Sequence, residues 1–472
     1  MKDNKQGQSH PTSHRQPTQL HATIQIFLPI TRSSSSPRPS QKIQYTPPIF
    51  KLEPISDQQI TQVIAKMSLY KATGPSGLSN AVLTHCADLL TPHLGCIYCT
   101  TFHLNIFPQQ WKTTTTVFLQ KPNKPNYTVT KAYRPITLME TLSKPLSGCI
   151  AEILSYQAEK HYLLPDTNFS RSPGRSTTDA LHLTVKFIFD QWRKGNVVSA
   201  LFLDVKGAFP SVGVQRLIRN MQMKGVPQQY TNWVLNRLQG RQTRIQFNDY
   251  LLDPLDIDNG CDQGDPTSII LYHFYNAGLM DVANKSQVEL APAFIEDVTF
   301  LAVGPNFATT NAKIHSMMMR VNSTYEWSRK HNSFFETDKL QLLDFMRKRE
   351  RDLTGKGKTR PVTRLPLELE DGTILPSSLH KLLGLILDEE LQLHHHTGHV
   401  ITKGTDWTLQ LQRLAKHTQG LSHQYTHQLY LSVVVLKMVY AADIWFTPIC
   451  LNENNNHTCN KKASGNVRFS KH

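Results

Sequence analysis

The segment Leu201-Phe-Leu-Asp204-Val-Lys-Gly-Ala-Phe209-Pro-Ser-Val places one carboxylate at the end of an apolar run, Val197 to Leu203, that reads as a buried strand. A carboxylate there is costly to bury unless it is paired or binds a cation. Downstream, Ala293-Phe294-Ile295-Glu296-Asp297-Val298-Thr299 sets two adjacent acids between two short β-prone runs. The pattern suits a hairpin tip, yet no Gly or Asn marks the reversal. Two like charges side by side repel unless a cation neutralises them. Acids from two strand ends converging on hard cations suit two-metal phosphoryl transfer, with metals about 3.5–4 Å apart. The ordinary alternatives are a solvated strand end at Asp204 and a solvated turn at Glu296-Asp297.

A third segment lies between these two: Asn259-Gly260-Cys261-Asp262-Gln263-Gly264-Asp265-Pro266-Thr267-Ser268. Its glycines and proline make a tight loop. Thr267 or Ser268 is expected to cap the apolar helix that follows through Leu279. A loop entering a helix in this way can offer backbone amides and a Gln side chain to a phosphate or a base.

Together the three segments resemble motifs A, B and C of reverse transcriptases, with Asp204 in A, Gln263-Gly264-Asp265-Pro266 in B and Phe294-Ile295-Glu296-Asp297 in C. More specifically, the chain resembles the polymerase of non-LTR (LINE-type) retrotransposons, fungal style. Lys71-Ala72-Thr73-Gly74-Pro75-Ser76-Gly77-Leu78 is similar to the family's KAPGPDGI box, and Tyr133-Arg134-Pro135-Ile136-Thr137-Leu138 to its fingers motif. Pro173 to Ala180 is similar to the segment before motif A, Trp327 to Lys339 to motif D, Leu382 to Asp388 to an LG box, and Leu431 to Asp443 to the thumb region. The matches span roughly residues 50–446 in the family's order.

The resemblance implies an α+β right-hand polymerase: fingers, a palm with an antiparallel sheet, and a helical thumb. It implies RNA-directed DNA polymerisation by two-metal nucleotidyl transfer, with two Mg2+ ions and Mn2+ as a substitute. The partners implied are an RNA template, a DNA primer and dNTPs, with room for an element-encoded nucleic-acid-binding protein. By resemblance Asp204, Glu296 and Asp297 hold the metals, and Lys339 protonates the leaving pyrophosphate. Arg134 meets the triphosphate, Phe209 excludes a ribose 2′-hydroxyl, and Gln263 beside Gly264 contacts the incoming nucleotide. For Arg134 and Lys339 the ordinary alternative is a surface cation.

The departures are also specific. Glu296 stands where the family has the first aspartate of its acidic pair. It keeps the charge but adds a methylene, a displacement of about 1 Å at a metal with strict octahedral geometry. Thr73, Ser76 and Thr267 depart from the family pattern as well. The alternative function is therefore a catalytically weakened or inactive remnant that at most binds nucleic acid. The resemblance also suggests a partial chain, lacking endonuclease and RNase H domains.

Composition agrees with a polyanionic partner. Lys and Arg number 51 against 36 Asp and Glu, a net charge of +15 in 472 residues. No N-terminal apolar segment reads as a signal peptide, and the apolar run from Leu429 to Phe446 is broken by Lys437 and Asp443, so no membrane is implied. Seven cysteines suggest a reduced intracellular protein, without deciding between nucleus and cytoplasm. Cys96-Ile-Tyr-Cys99 has metal-ligand spacing but sits in an apolar helical pattern, so helix core is the expectation. No P-loop appears, which disfavours an NTPase.

The elements that must position these residues divide the chain simply. Residues 1–50 are polar and expected to be disordered. Residues 51–345 are read as interleaved fingers and palm, opened by a short helix within Leu52 to Tyr70. Residues 346–374 form a basic loop and linker, and the cationic stretch Met346 to Arg360 could touch nucleic acid. Residues 375–446 are expected to be helical and thumb-like, and 447–472 to be a polar tail.

Overall fold

The computed structural model describes residues 45–446 apart from 123, 130–131, 171–173, 248–249, 352–358 and 416–419. Pro173, most of the polar segment expected at 1–50, and the 447–472 tail lie outside the described residues. The rest divides into two units that interleave along the chain, 45–163 with 207–275, and 164–206 with 276–446.

In the first unit, strands β1 (Thr113–Gln120), β2 (Tyr133–Leu138), β4 (Arg241–Phe247), β5 (Tyr250–Leu251) and β6 (Leu255–Ile257) form one sheet. β1 runs antiparallel to β2 and parallel to β4. Helices surround it, including Asp57–Ala65, Ala87–His103, Ser143–Lys160 and Gln228–Leu238. Asp57–Ala65 starts at a reciprocal cap in which Ser56 and Gln59 satisfy each other's backbone N–H groups. It is the short helix expected within Leu52 to Tyr70. Cys96 and Cys99 lie inside the helix Ala87–His103, and among the described residues no group of three His, Cys, Asp or Glu is arranged to hold a metal.

The second unit is built on β3 (Val197–Asp204), β7 (Glu289–Leu290), β8 (Ala293–Phe294), β9 (Asp297–Gly304) and β10 (Gln341–Phe345). β3 is central, antiparallel to β9 on one side and to β10 on the other. It is buried on both faces up to its last residue, as the unbroken apolar run predicts. Val198, Ala200 and Phe202 join Leu181, Val185 and Ile188 of the helix Thr177–Arg193 in the core. On β3, Ser199 hydrogen-bonds Thr310 of the helix Phe307–Met319 at 2.6 Å. Within β3 the carboxylate-bearing Asp204 is thus the one residue not buried.

Two stretches differ from expectation. The basic segment after residue 346 is not only a loop: β11 (Arg349–Arg351) pairs with β12 (Thr359–Pro361), and β13 (Leu367–Leu369) with β14 (Gly372–Ile374). Residues expected to start a helical region at 375 instead form β15 (Pro376–Ser377), which joins β10, and a hairpin of β16 (Leu379–Leu382) with β17 (Leu385–Asp388). The reversal falls on Leu383 and Gly384, both at positive φ. Helices begin only at His394 with His394–Leu414. Among the described residues no helix is long and apolar enough to cross a membrane.

Candidate active site

The antiparallel register of β3 and β9 sets Asp204 directly opposite Asp297. Both line a cleft of about 630 Å³ with Phe202, Asp338, Lys339 and His380 among its walls. Two acids 93 residues apart in sequence are neighbours because the sheet aligns the last residue of one strand with the first of the next.

Glu296 lies beside them in the two-residue connection between β8 and β9. The missing turn residues have a structural consequence: Ile295 adopts φ +56. That conformation is strained for a β-branched residue. Two buried side chains hold it there. Ser170 accepts the Ile295 N–H, and the Asn276 amide donates to the Ile295 carbonyl at 2.9 Å. Neither residue was anticipated as part of the site. Asn276 had a signal, a carboxamide in an otherwise apolar helix; Ser170 had none.

Lys339 enters from a short helical turn, Thr337–Lys339. Its ammonium contacts Asp204 Oδ2 at 2.5 Å and Glu336 Oε2 at 2.9 Å. The Glu336 N–H donates to the Asp204 carbonyl at 2.9 Å, so the same segment is stitched to the end of β3. Burial alone would lower the Lys339 pKa, but its bonds to Asp204 and Glu336 outweigh that and hold it above its ordinary value. Asp297 is raised as well, which for a carboxyl disfavours the charged form: burial first, then the Asp204 charge, push it up, with Lys339 opposing.

The family-implied metals can be tested against this geometry. Hard-cation sites commonly use one or two carboxylates, completed by water and substrate phosphates. The Asp204–Asp297 pair, with its mutual repulsion, fits that donor set. Glu296 is not gathered with the pair into a three-carboxylate cage, since no such group occurs among the described residues.

The other anticipated residues lie in the first unit. Arg134 is exposed on β2. The Thr137 N–H, on the same strand, donates to the Gln263 carbonyl at 2.8 Å and so fixes the 259–265 loop to β2. Gly264 sits at φ +121 with its missing Cβ about 3.0 Å from the Thr137 carbonyl oxygen, so a side chain there would be both strained and crowded. Phe209 packs its ring 5.3 Å from Tyr272, and its carbonyl accepts from the Cys261 N–H at 2.9 Å. Phe209, Gln263 and Gly264 therefore belong to one connected cluster.

That cluster is anchored by four buried charges. Arg237 contacts Asp265 at 2.8 Å and Ser147 Oγ at 2.7 Å. Arg241 contacts Asp262 at 2.7 Å and donates to the Asn259 and Gly260 carbonyls. The helix cap is Asp265, whose carboxylate accepts the Thr267 N–H at 3.2 Å, in place of the expected Thr267 or Ser268. Its negative charge at a helix start also suits the dipole, which explains the choice. The Ser76 departure likewise has a partner, since its hydroxyl donates to Glu140 at 2.6 Å.

A mainly antiparallel sheet with paired acids at the ends of two interior strands defines a candidate site for metal-assisted phosphoryl chemistry. Residues 119–365, just over half of the chain, match the family model "Reverse transcriptase (RNA-dependent DNA polymerase)". The chain belongs to the reverse transcriptase family. It is 25% identical over 419 residues to a protein named a probable RNA-directed DNA polymerase from transposon X-element of Drosophila melanogaster, covering 86% of this chain and 43% of that one. A counterpart from transposon BS of the same fly is 24% identical, with 84% and 42% covered. A Pol polyprotein from the type-1 retrotransposable element R1 of Bradysia coprophila is 21% identical, with 90% and 40% covered. The chain thus spans under half the length of these curated relatives. The relatives place it with LINE-type reverse transcriptases, and the family generally uses divalent metal ions.

Proposed function

We propose that the chain is an RNA-directed DNA polymerase of a non-LTR retrotransposon, acting at the Asp204–Asp297 cleft. The observation that carries this is the register of β3 and β9, which aligns two acids far apart in sequence beside the charged Lys339. When bound there, magnesium ions supply charge neutralisation and an acidified primer hydroxyl. Asp204 and Asp297 would hold them, and Glu296 would approach from the turn. In the transfer, the primer 3′ oxygen bonds to the α-phosphorus and the bond to the bridging oxygen breaks. Lys339, kept protonated by Asp204 and Glu336, is suited to give its proton to the departing pyrophosphate. Phe209 would block a ribose 2′-hydroxyl, Gln263 with Gly264 would face the nucleotide, and Arg134 would offer a guanidinium fork to its phosphates.

We read the second unit's sheet as the palm, residues 51–163 and 207–275 as contributing mainly fingers, and 394–446 as thumb-like. The template would be RNA, the primer DNA, and the compartment intracellular. The fungal style of element is part of this proposal and rests on the resemblance of the motif series from the 71–78 box to the 431–443 region.

A second reading, a catalytically weakened or inactive remnant, is favoured by one observation: Glu296 stands where the family has an aspartate. Primer extension on poly(rA)/oligo(dT), with magnesium and then manganese, separates the two. dTTP incorporation with magnesium supports the full enzyme, incorporation only with manganese supports the weakened one, and none from a folded protein refutes the polymerase and leaves the inactive remnant.

A further inference from the structure

The open end of β3 carries Asp204, but its other end leads to a different cleft. Val197 lies seven residues back along the strand, roughly 23 Å away at strand rise. A cavity of about 560 Å³ opens there, lined by Phe189, Trp192, Arg193, Asn196, Arg347 and Lys348, with Val197 and Met346. Three of these residues are cations and none is acidic.

The aromatic floor is fixed. Phe189 and Trp192 meet edge to face, 5.4 Å between centroids at 83°. The Trp192 indole N–H donates to the Phe345 carbonyl at 3.1 Å, and the Arg347 guanidinium lies 5.0 Å from one ring and 5.1 Å from the other. Arg347 is oriented in turn by the Glu390 carbonyl at 2.9 Å. The neighbouring acids already have cations: Asp190 pairs with Lys186 and Arg193, Glu389 with Arg364, and Glu390 with Arg349. The cleft's own cations, Arg193, Arg347 and Lys348, are exposed. The first residues of the basic stretch, Met346, Arg347 and Lys348, form one wall of this cleft, and Arg349–Arg351 next along the chain pairs with Thr359–Pro361.

We propose that this cleft is a second nucleic-acid site, separate from the catalytic one, that takes a single-stranded segment by its phosphates and by stacking of a base. Fixed rings with a guanidinium plane, bordered by exposed cations, match what single strands use: a π-face for the base and positive charge for the backbone. An acidic peptide would use the cations and leave the rings idle. The inference shares only the choice of polymer with the proposed polymerase activity, not its location.

The test uses the full chain, first filled with excess unlabelled blunt RNA–DNA hybrid. Fluorescence anisotropy then follows labelled oligo(rU), and separately oligo(dT), of about sixteen nucleotides. The labelled strand is expected to bind despite the hybrid, with RNA and DNA similar if phosphates dominate and RNA tighter if the 2′-hydroxyl is also read. Arg193→Glu with Lys348→Glu should weaken it by tenfold or more and flatten its log-salt slope by about one unit or more. Trp192→Phe, which keeps a ring, should retain most binding. Extension of oligo(dT) on poly(rA) should not change in the charge variant. Displacement of the label by the hybrid in the wild type overturns the proposal. So does a folded charge variant that binds like wild type, or displacement by polyglutamate as effective as by unlabelled oligonucleotide. Failure of the polymerase reading would appear separately, as a wild type that neither binds the hybrid nor extends oligo(dT) on poly(rA).

Discussion

Replacing Arg237 by leucine tests how the loop carrying Gln263 and Gly264 is held. The Arg237 and Asp265 side chains are 3% and 1% exposed, and they touch at 2.8 Å. Asp262, 6% exposed, is served mainly by Arg241. Two buried cations therefore balance two buried anions. Removing Arg237 leaves Asp265 without its cation in a place where water cannot substitute. Breaking a buried pair by taking one partner typically costs about 3–5 kcal/mol, because the remaining charge keeps its desolvation penalty. Against a domain stability of roughly 5–15 kcal/mol, that is a large fraction. With a urea slope of about 2 kcal/mol/M, the unfolding midpoint should fall by roughly 1.5–2.5 M. Adding Asp265→Asn removes the orphaned charge, so the double variant should recover about 1–3 kcal/mol of the single variant's loss. Urea titrations of the wild type, both single variants and the double variant measure the coupling. A loss below about 1 kcal/mol for Arg237→Leu, or strictly additive costs, would refute the argument that this charge cluster anchors the loop.

Three further outcomes are expected. Glu296→Asp should raise magnesium-dependent extension by about a hundredfold or more, since it returns a carboxylate displaced by about 1 Å, and manganese should narrow the gap; equal rates from a robust wild type would contradict this. Phe209→Val should raise ribonucleotide relative to deoxyribonucleotide incorporation by roughly tenfold or more, measured in competition, whereas an unchanged ratio would leave Phe209 only its packing against Tyr272. Asp344 is fully buried, and burial pushes its carboxyl up to about 6 despite the Ser199 hydroxyl bonded at 2.5 Å. The folded value lies above the unfolded one, so this residue's contribution is fully present below about pH 4 and is lost as pH rises through about 6. Asp344→Asn should therefore stabilise the protein by about 1–3 kcal/mol at pH 8 and by nothing below pH 4, and denaturation without a gain at pH 8 would count against it.

The sequence was most readable where one residue type answers to one physical demand. β3 spans Val197–Asp204 because a run apolar but for Ser199 and ended by one carboxylate has a single good solution, burial up to its last residue. The reversal before Asp297 was visible through what it lacked. How the chain tolerates it was not, because the Ser170 hydroxyl that holds Ile295 comes from 125 residues away. The β16–β17 hairpin escaped because a short apolar run such as Leu382 to Leu387 fits a buried helix as well as a strand. Gly384 was the available clue. The cap at Asp265 was mistaken for a hydroxyl cap because the Arg237 that makes a buried aspartate affordable lies on a distant helix.

The most direct test of the account is single-turnover extension of an oligo(dT) primer on poly(rA) by the Glu296→Asp protein, with and without Asp204→Asn. The paired-carboxylate site predicts measurable dTTP addition that falls by about a thousandfold or more when Asp204 loses its charge, the scale of losing a main electrostatic element of a catalytic site. Extension that survives Asp204→Asn would contradict it.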